Sequence, residues 1–469
     1  MKNNVGILLP ISSLPGKYGI GDFGSSADKF ISWLKDNNFH YWQILPLNPL
    51  GSGNSPYLSI CSLAIDIRYI SLEKLYEEQY IKKLPPIIED SERVDFNNSY
   101  RLKYYYLKKA YNNLTYKGDL ESFKEKNPWA KEYAIYLTFK KINNDKTWSN
   151  WDKKYLDYPH TPFKLNAALE EEVNFIIFTQ FIAYKQYRRV LNKAKKNNIE
   201  IIADMPFYVG YDSSDVYFNR DNFLLDEKYN PTLVAGVPPD YFSKEGQLWG
   251  SPIYDFSYMA KNNYRFLFNR LSRLAKNAHY LRIDHFRAFD TYYTIPYGHI
   301  NAVNGEWKIG PRNDFFDKLY TKFPNINLIA EDLGDLFPSV YELRDAYNLP
   351  GMYVSQFHFF DEKFTTNDNL IVYTGTHDND TFYSWFSSLK DYDYEYIKRR
   401  ICYDGNKDLY EALIDYIISL PSKMCILPIQ DLLKMDSAYR INTPGVVLDN
   451  NWSFKLKNFD ILKNAIKLG

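Results

Sequence analysis

Three acidic residues that follow short apolar stretches are the side chains best suited to do chemistry. Asp284 stands in Arg-Ile-Asp-His, Glu331 in Ala-Glu-Asp-Leu-Gly and Asp378 in Thr-His-Asp-Asn-Asp, and the three are evenly spaced along the chain. If they occupy the ends of neighbouring strands, they meet at one place. Two converging carboxyls can cleave a glycosidic bond, since one attacks the anomeric carbon and the other protonates the leaving oxygen. The sequence therefore predicts an acid site that acts on sugars.

Each of these acids also has an architectural alternative. Arg282 lies on the same face of its strand as Asp284, where it favours the charged carboxylate but could equally form a structural salt bridge. Glu331 and Asp332 could cap a helix, and Asp380 is expected to cap the helix that follows it. Three acidic strand ends in one chain favour catalysis over three separate structural roles.

Eight apolar runs that end in polar residues predict the elements that position these acids. They begin at residues 5, 41, 199, 279, 326, 351, 370 and 423. Short runs of this kind are typical of strands buried on both faces of a parallel sheet, and helical patterns lie between them. Eight such units predict an α/β fold, a (β/α)8 TIM barrel with its chemistry at the carboxyl ends of the strands. An open doubly wound sheet is the alternative.

Two long intervals predict additions to a single catalytic domain of residues 1–469. Residues 64–190 carry Tyr-, Lys- and Leu-rich helical patterns, which predict a mainly helical insertion between the second and third strands. Residues 206–263 are rich in Pro, Gly, Tyr and Asp and show little periodicity. A loop excursion of that length in a compact enzyme is usually functional.

Composition limits the partners that the protein can have. The 57 Lys and Arg balance 57 Asp and Glu, so the chain has no net charge to attract nucleic acid or an anionic membrane surface. Aromatic residues make up 18% of the chain, which serves core packing and can also supply sugar-stacking surfaces. The three cysteines are far apart and no apolar run of about 18 residues occurs, which predicts a cytoplasmic protein without a transmembrane helix.

Long motifs in a fixed order make the chain similar to a known family. The motifs are GILLPISSLPG, GIGDFG, YWQILPLNPLGSGNSPY, ADMPFYV, GVPPDYFSKEGQLWGSPIY, LRIDHFRAF, GEWKIGPR, AEDLG, YTGTHDNDT and INTPG. In this order they resemble the 4-alpha-glucanotransferases, also called amylomaltases or disproportionating enzymes, of glycoside hydrolase family 77. The resemblance spans nearly the whole chain. It implies transfer of α-1,4-glucan segments from a donor maltodextrin to the 4-hydroxyl of an acceptor glucan or glucose.

The resemblance also implies roles for the three acids. Asp284 corresponds to a nucleophile that forms a covalent glucosyl-aspartyl intermediate, Glu331 to the general acid/base and Asp378 to a stabiliser of the transition state. A retaining α-glucan hydrolase of the α-amylase type would carry the same three acids, so it remains the alternative function. A carbohydrate-binding protein without catalysis is a further alternative.

Further positions match substrate-binding residues of the family. Arg282, His377 and Asp204 are expected to contact the donor sugar, and Tyr57 is expected to stack against it. This set predicts where the sugar next to the cleaved bond lies.

Residues 236–254 resemble the lid of the family. Gln247 and Trp249 in this segment are expected to cover the acceptor side, and Tyr241 and Phe242 add further aromatic surface. A closing aromatic loop excludes water, which favours transfer over hydrolysis.

Metal and nucleotide chemistry are poorly supported. The chain has only 7 His and no HxH or HExxH pair, so a metal-dependent barrel hydrolase is not favoured. Gly19–Gly24 fits GxGxxG after the first strand, but no acid ends the second strand, where a ribose partner belongs. We therefore predict neither a metal nor a cofactor.

Overall fold

The central element of the fold is an eight-stranded sheet. A computed structural model of the chain describes residues 4–88, 91–114, 118–239 and 243–468. The strands in these ranges are β1 (Val5–Leu8), β2 (Tyr41–Gln43), β3 (Glu200–Met205), β4 (Leu233–Val237), β5 (Gln247–Pro252), β6 (Tyr280–Ile283), β7 (Thr291–Pro296), β8 (Glu306–Ile309), β9 (Leu328–Ala330), β10 (Gly351–Val354), β11 (Leu370–Tyr373) and β12 (Met424–Pro428).

The large sheet is parallel throughout and closes into a barrel. Its strands follow the order β10–β11–β12–β1–β2–β3–β6–β9, and these are the eight predicted strands. The seam between β9 and β10 is closed by the Ala330 N–H, which donates to the Pro350 carbonyl at 2.9 Å, and by the Asp332 carboxylate, which accepts from the Met352 N–H at 2.8 Å. The prediction of a (β/α)8 barrel is confirmed, and the open doubly wound alternative is wrong.

Burial explains why these strands could be predicted from the sequence. Every residue of β1, β10, β11 and β12 is buried, so these strands read as continuous apolar runs. The α-helices in the described ranges are α1 (Ser25–Asp36), α2 (Leu72–Glu77), α3 (Phe96–Asn112), α4 (Gly118–Lys126), α5 (Pro128–Ile142), α6 (Lys153–Leu156), α7 (Ala167–Lys196), α8 (Ser214–Phe218), α9 (Phe256–Lys261), α10 (Arg265–Ala275), α11 (Arg312–Lys322), α12 (Pro338–Ala346), α13 (Ser355–His358), α14 (Phe382–Ser387), α15 (Asp391–Arg400), α16 (Leu409–Ser419) and α17 (Ile429–Leu432).

Helices α2–α7 fill the interval between β2 and β3, and α7 fastens them to the barrel. Two buried glutamines of α7 each pair with one residue's backbone: Gln180 accepts from the Ile65 N–H and donates to its carbonyl, and Gln186 does the same with Ser71. Each pair satisfies one backbone donor and one acceptor that the loop after β2 would otherwise bury unpaired. The helices are therefore tied to the loop that leads out of the barrel mouth.

A second sheet, which the sequence did not predict, lies in the excursion and beyond it. It is antiparallel with the order β5–β4–β7–β8. Its strands were missed because Gly236 and Gly250 interrupt the apolar alternation of β4 and β5. Gly236 is required by close packing, since a Cβ there would lie 2.2 Å from the Gln247 carbonyl oxygen.

Two further expectations concern the chain as a whole. Across the described ranges, no helix combines the length and apolarity needed to cross a bilayer. Cys61 and Cys425 are buried thiols and Cys402 is an exposed one.

Candidate active site

Backbone pairing that continues past the strands brings Asp284 and Glu331 together. β6 pairs with β3 on one side and with β9 on the other. The Asp284 N–H donates to the Met205 carbonyl at 3.0 Å, and the Glu331 N–H donates to the Ile283 carbonyl at 3.1 Å. The two acids therefore occupy neighbouring strand ends at one edge of the barrel.

His285 links the two acids through its backbone. It has a left-handed conformation with φ of 55°, which is uncommon for a residue other than glycine. In this conformation its N–H donates to Glu331 Oε2 at 2.5 Å. This contact could not be predicted from the sequence, because a backbone donor leaves no trace in residue type.

Asp378 is held by the C-terminal segment of the chain. Asn442 Nδ2 donates to Asp378 Oδ1 at 2.6 Å, and Arg440 donates to the Asp378 carbonyl at 2.5 Å. His377 Nε2 lies 3.4 Å from the same Oδ1. Asn442 belongs to the INTPG motif, but the sequence analysis assigned it no role.

Asp380 does not cap α14, as the sequence predicted. The N-cap is Thr381, whose hydroxyl accepts from the Ser384 N–H at 3.3 Å. Asp380 Oδ1 accepts instead from the Thr381 N–H and Oδ2 from the Ser437 hydroxyl. The prediction was wrong by one residue because Thr381 also has a side chain of a preferred capping type.

Asp204 and Arg282 lie beneath the cleft. Arg282 donates to Asp204 Oδ2 at 2.6 Å and lies 3.6 Å from Asp284 Oδ1. Tyr57 donates its hydroxyl to the same Asp204 oxygen at 2.6 Å. None of the Asp204 side chain is exposed and only 3% of that of Arg282, so in this structure both residues act on the site through Tyr57 and Asp284.

Tyr57 forms a cluster of three rings with His377 and Trp452. Its ring stacks on His377 with a centroid distance of 5.2 Å and an angle of 8°, and Trp452 lies at 5.6 Å. Tyr57 and His377 line the cleft together. The structure thus brings both predicted substrate-binding residues to the position of the three acids.

The electrostatics of the acid pair are set by burial. Burial raises the pKa of Glu331 to about 7, against the opposing effects of Arg282 and the His285 N–H. Burial also raises the pKa of Asp284 well above its usual range, although Arg282 opposes this. Two neighbouring carboxyls do not readily ionise together, so they share a proton near neutral pH. Because Arg282 forms its ion pairs with Asp204 and Asp284, the shared proton is favoured on Glu331.

A cleft of about 580 Å³ opens above these residues. Six of the predicted residues line it: Tyr57, Gln247, Trp249, Asp284, His377 and Asp378. Glu331 is not among the lining residues, but its carboxylate accepts from the backbone N–H of His285, which is a lining residue. The other lining residues include Asn442 and the aliphatic side chains of Leu58, Leu248, Ile300, Val446 and Val447.

The β4–β5 hairpin forms one wall of the cleft. The Trp249 ring meets His285 edge-on at 4.8 Å, and its Nε1 donates to Gln247 Oε1 at 3.1 Å. Tyr241 and Phe242, the other aromatics of the predicted lid, lie outside the described residues. Through Trp249, the hairpin therefore contacts His285, the residue whose N–H binds the Glu331 carboxylate.

Metal-binding geometry is not found in the parts of the chain that the structure describes, where no group of three or more His, Cys, Asp or Glu side chains could hold an ion.

Comparison with known proteins identifies the family. Residues 9–461 match the model of glycoside hydrolase family 77, described as 4-alpha-glucanotransferase. The chain belongs to the 4-alpha-glucanotransferase family. It is 37% identical to the 4-alpha-glucanotransferase of Synechocystis sp., with 96% of this chain and 93% of that protein covered. The Aquifex aeolicus 4-alpha-glucanotransferase is also 37% identical, with coverages of 96% and 95%.

Solved structures agree with this family. The amylomaltase from Streptococcus agalactiae, in complex with acarbose, superposes with a TM-score of 0.90 at 30% identity and covers 98% of this chain and 96% of its own. The amylomaltase from Corynebacterium glutamicum has a TM-score of 0.77 at 15% identity, with coverages of 99% and 72%, and shows the same fold. The barrel fold is thus common to all three proteins.

Proposed function

We propose that this 4-alpha-glucanotransferase works by double displacement, with Asp284 as the nucleophile and Glu331 as the general acid/base. The observation that carries the proposal is the pairing of the two acids on adjoining strand ends, with Arg282 beside Asp284 and a raised pKa on Glu331. A charged carboxylate next to a protonated one is the arrangement that retaining glycoside chemistry requires.

In the first step, an Asp284 oxygen attacks the anomeric carbon of the donor glucan. The glycosidic bond breaks as the new C–O bond forms, and the Glu331 proton passes to the leaving oxygen. The products are a glucosyl ester on Asp284 and a shortened glucan with a free 4-hydroxyl. In the second step, Glu331 takes the proton from the 4-hydroxyl of an acceptor, whose oxygen attacks the anomeric carbon and releases Asp284.

Asp378 is assigned to the transition state. Its carboxylate carries the Asn442 hydrogen bond and lies beside His377, so it is oriented before the sugar arrives. A fixed negative charge stabilises the positive charge that develops at the sugar ring. His377 binds the same sugar through its ring, and burial lowers its pKa, which keeps the imidazole neutral.

Tyr57, Arg282 and Asp204 form a support for this sugar subsite. The Tyr57 ring offers a stacking surface in the cleft, while Asp204 holds both the Tyr57 hydroxyl and the Arg282 guanidinium from below. We assign sugar contact to Tyr57 and the orientation of Tyr57 and Arg282 to Asp204.

Residues 236–254 are assigned as the lid on the acceptor side. Gln247 and Trp249 line the cleft from this segment, and Trp249 contacts the residue that anchors Glu331. A sugar that packs against them displaces water from the intermediate, so transfer outpaces hydrolysis.

The donors are maltodextrins and the acceptors are α-1,4-glucans or glucose. We place the enzyme in the cytoplasm, where free thiols such as Cys402 persist.

Incubation with maltotriose tests this function. Transfer predicts a ladder of longer maltodextrins together with free glucose, while the number of reducing ends stays constant. Glucose and maltose alone, with rising reducing ends, would establish a hydrolase of the α-amylase type. The absence of any turnover alongside measurable binding would leave a carbohydrate-binding protein. Asp284→Asn serves as the inactive control.

A further inference from the structure

The loop that carries His377 and Asp378 is tied at both ends to one buried carboxylate. Asp431 lies in α17, directly after β12, and is 1% exposed. Its Oδ2 accepts from the Thr374 hydroxyl at 2.5 Å, where the chain leaves β11. Its Oδ1 accepts from the Phe382 N–H at 2.8 Å, where α14 begins. One side chain therefore fixes the start and the end of residues 374–382.

Asp431 is itself held firmly, but without a cation. The Tyr410 hydroxyl, from α16, donates to the Asp431 carbonyl at 2.9 Å. Among the residues that the structure describes, no Lys, Arg or His forms an ion pair with its carboxylate, and burial raises its pKa to about 7. Burying a carboxyl with only a hydroxyl and an N–H as partners costs hydration free energy that no cation offsets.

The loop between the two anchors is internally rigid. Asn379 Oδ1 accepts from both the N–H and the hydroxyl of Thr376, at 2.8 and 2.9 Å. The Gln356 side chain donates to the Asp380 carbonyl at 2.7 Å. A rigid loop moves as a unit, so its two anchored ends set the position of everything between them.

We propose that Asp431 is a positioning residue for the transfer reaction, which holds the loop of residues 374–382 so that Asp378 and His377 face the donor sugar. The inference rests on the proposed function, because it assigns Asp431 a role in the step that Asp378 stabilises. Asp431 touches neither sugar nor nucleophile. It acts by fixing Thr374 and the first residue of α14, and a displacement of about 1 Å in such a loop can cost on the order of 100-fold in rate.

Kinetics of Asp431 variants on maltotriose test the proposal. Asp431→Ala removes both anchors and is expected to lower kcat by roughly 10- to 100-fold with KM changed by less than about threefold, since the loop acts mainly in the transition state. Asp431→Asn is expected to stay within about threefold of the wild type. Its amide oxygen can still accept from the Phe382 N–H, and its amide nitrogen can donate to the Thr374 oxygen.

Asp215 provides a matched control. It is also a buried carboxylate whose partners are one hydroxyl and one backbone N–H, both from Ser62, at 2.6 and 2.7 Å. The loop that it anchors carries Tyr57 but none of the three acids, so a shift of this loop should change KM rather than kcat. Asp215→Ala is therefore expected to lower the melting temperature as Asp431→Ala does, but to leave kcat within about twofold at a temperature where both variants are folded.

The outcomes separate this inference from the proposed function. A wild-type kcat in folded Asp431→Ala, or an equal loss of kcat in Asp215→Ala, would overturn the positioning role while transfer by the wild type still stands. A wild type without transfer activity would overturn the function itself. If Asp431→Ala does not fold, Thr374→Val removes one anchor alone; a several-fold fall in kcat supports the proposal, and an unchanged kcat overturns it.

Discussion

The floor and the roof of the cleft are built in opposite ways. The floor consists of the strand ends at residues 282–285, 330–332 and 374–382, where backbone ladders and short polar contacts fix each acid. The roof consists of the β4–β5 hairpin and the segment 443–452. Rings of the roof contact the floor, such as Trp249 against His285 and Trp452 against His377. Several of its aliphatic side chains are exposed, among them Leu248, Val446 and Val447, the last with 86% of its surface accessible.

This difference separates two tasks of a glucanotransferase. Bond exchange at the anomeric carbon requires carboxyl groups that are placed before the substrate arrives, which the floor provides. The choice between water and a sugar as acceptor depends on what covers the intermediate, and that cover must open for each new glucan. Substitutions in the floor should therefore lower the rate, and those in the roof should change the product ratio.

Asp284→Asn is expected to have the largest effect in the floor. A neutral amide cannot attack the anomeric carbon, so kcat on maltotriose should fall by at least about 10⁴-fold. The melting temperature should not fall, because Arg282 keeps its ion pair with Asp204 and the variant no longer has to bury a charge at position 284. Activity and thermal unfolding measured on the same preparation check both statements, and near-normal activity would show that Asp284 is not the nucleophile.

Glu331→Gln should be the next most severe change. Loss of the general acid is expected to lower kcat by about 10²- to 10⁴-fold with maltotriose. The loss should be much smaller for the first step with a maltosyl fluoride donor, because fluoride leaves without a proton. Equal losses with both donors would contradict the assignment of Glu331 as the acid.

The pH dependence of the first step tests the assignment of Glu331 as the acid in the wild-type enzyme. Glu331 must be protonated to act as the acid, and burial raises its pKa to about 7. The wild-type rate is therefore expected to decline as pH rises through about 7, and this alkaline limb should be absent from Glu331→Gln.

Asn442→Ala tests whether the C-terminal segment serves the floor. A hydrogen bond to a charged group contributes about 1.5–3 kcal/mol, so loss of the 2.6 Å contact with Asp378 should lower kcat by roughly 10- to 100-fold. Asn442→Asp should be worse, because it places a second carboxylate against Asp378. If Asn442→Asp were the milder of the two, the hydrogen bond would not be what orients Asp378.

Trp249→Ala should have the smallest effect on rate and the clearest effect on products. Total turnover of maltotriose is expected to fall by less than about 10-fold, while the share of hydrolysis rises because water reaches the intermediate. Trp307→Ala is the matched control, since Trp307 lies in the same antiparallel sheet but does not line the cleft. An unchanged ratio of hydrolysis to transfer in Trp249→Ala would show that Trp249 does not shield the intermediate from water.

The sequence predicted the floor better than the roof for a physical reason. Strands buried on both faces leave continuous apolar runs, and acids at their ends are local to those runs. The partner of Asp378 is not local: Asn442 lies 64 residues away along the chain and makes its contact only through the fold. The second sheet was missed because Gly236 and Gly250 obscure its strands, and the His285 contact was missed because it uses a backbone N–H.

A direct test of the central claim is to trap the sugar on the nucleophile. Glu331→Gln treated with a maltosyl fluoride can form the ester but cannot activate an acceptor, so the intermediate should accumulate. Peptide mass spectrometry after acid quenching is predicted to find the added maltosyl mass on the peptide that contains Asp284. A sugar found on the peptide that contains Asp378, or fluoride release with no labelled peptide, would contradict the mechanism.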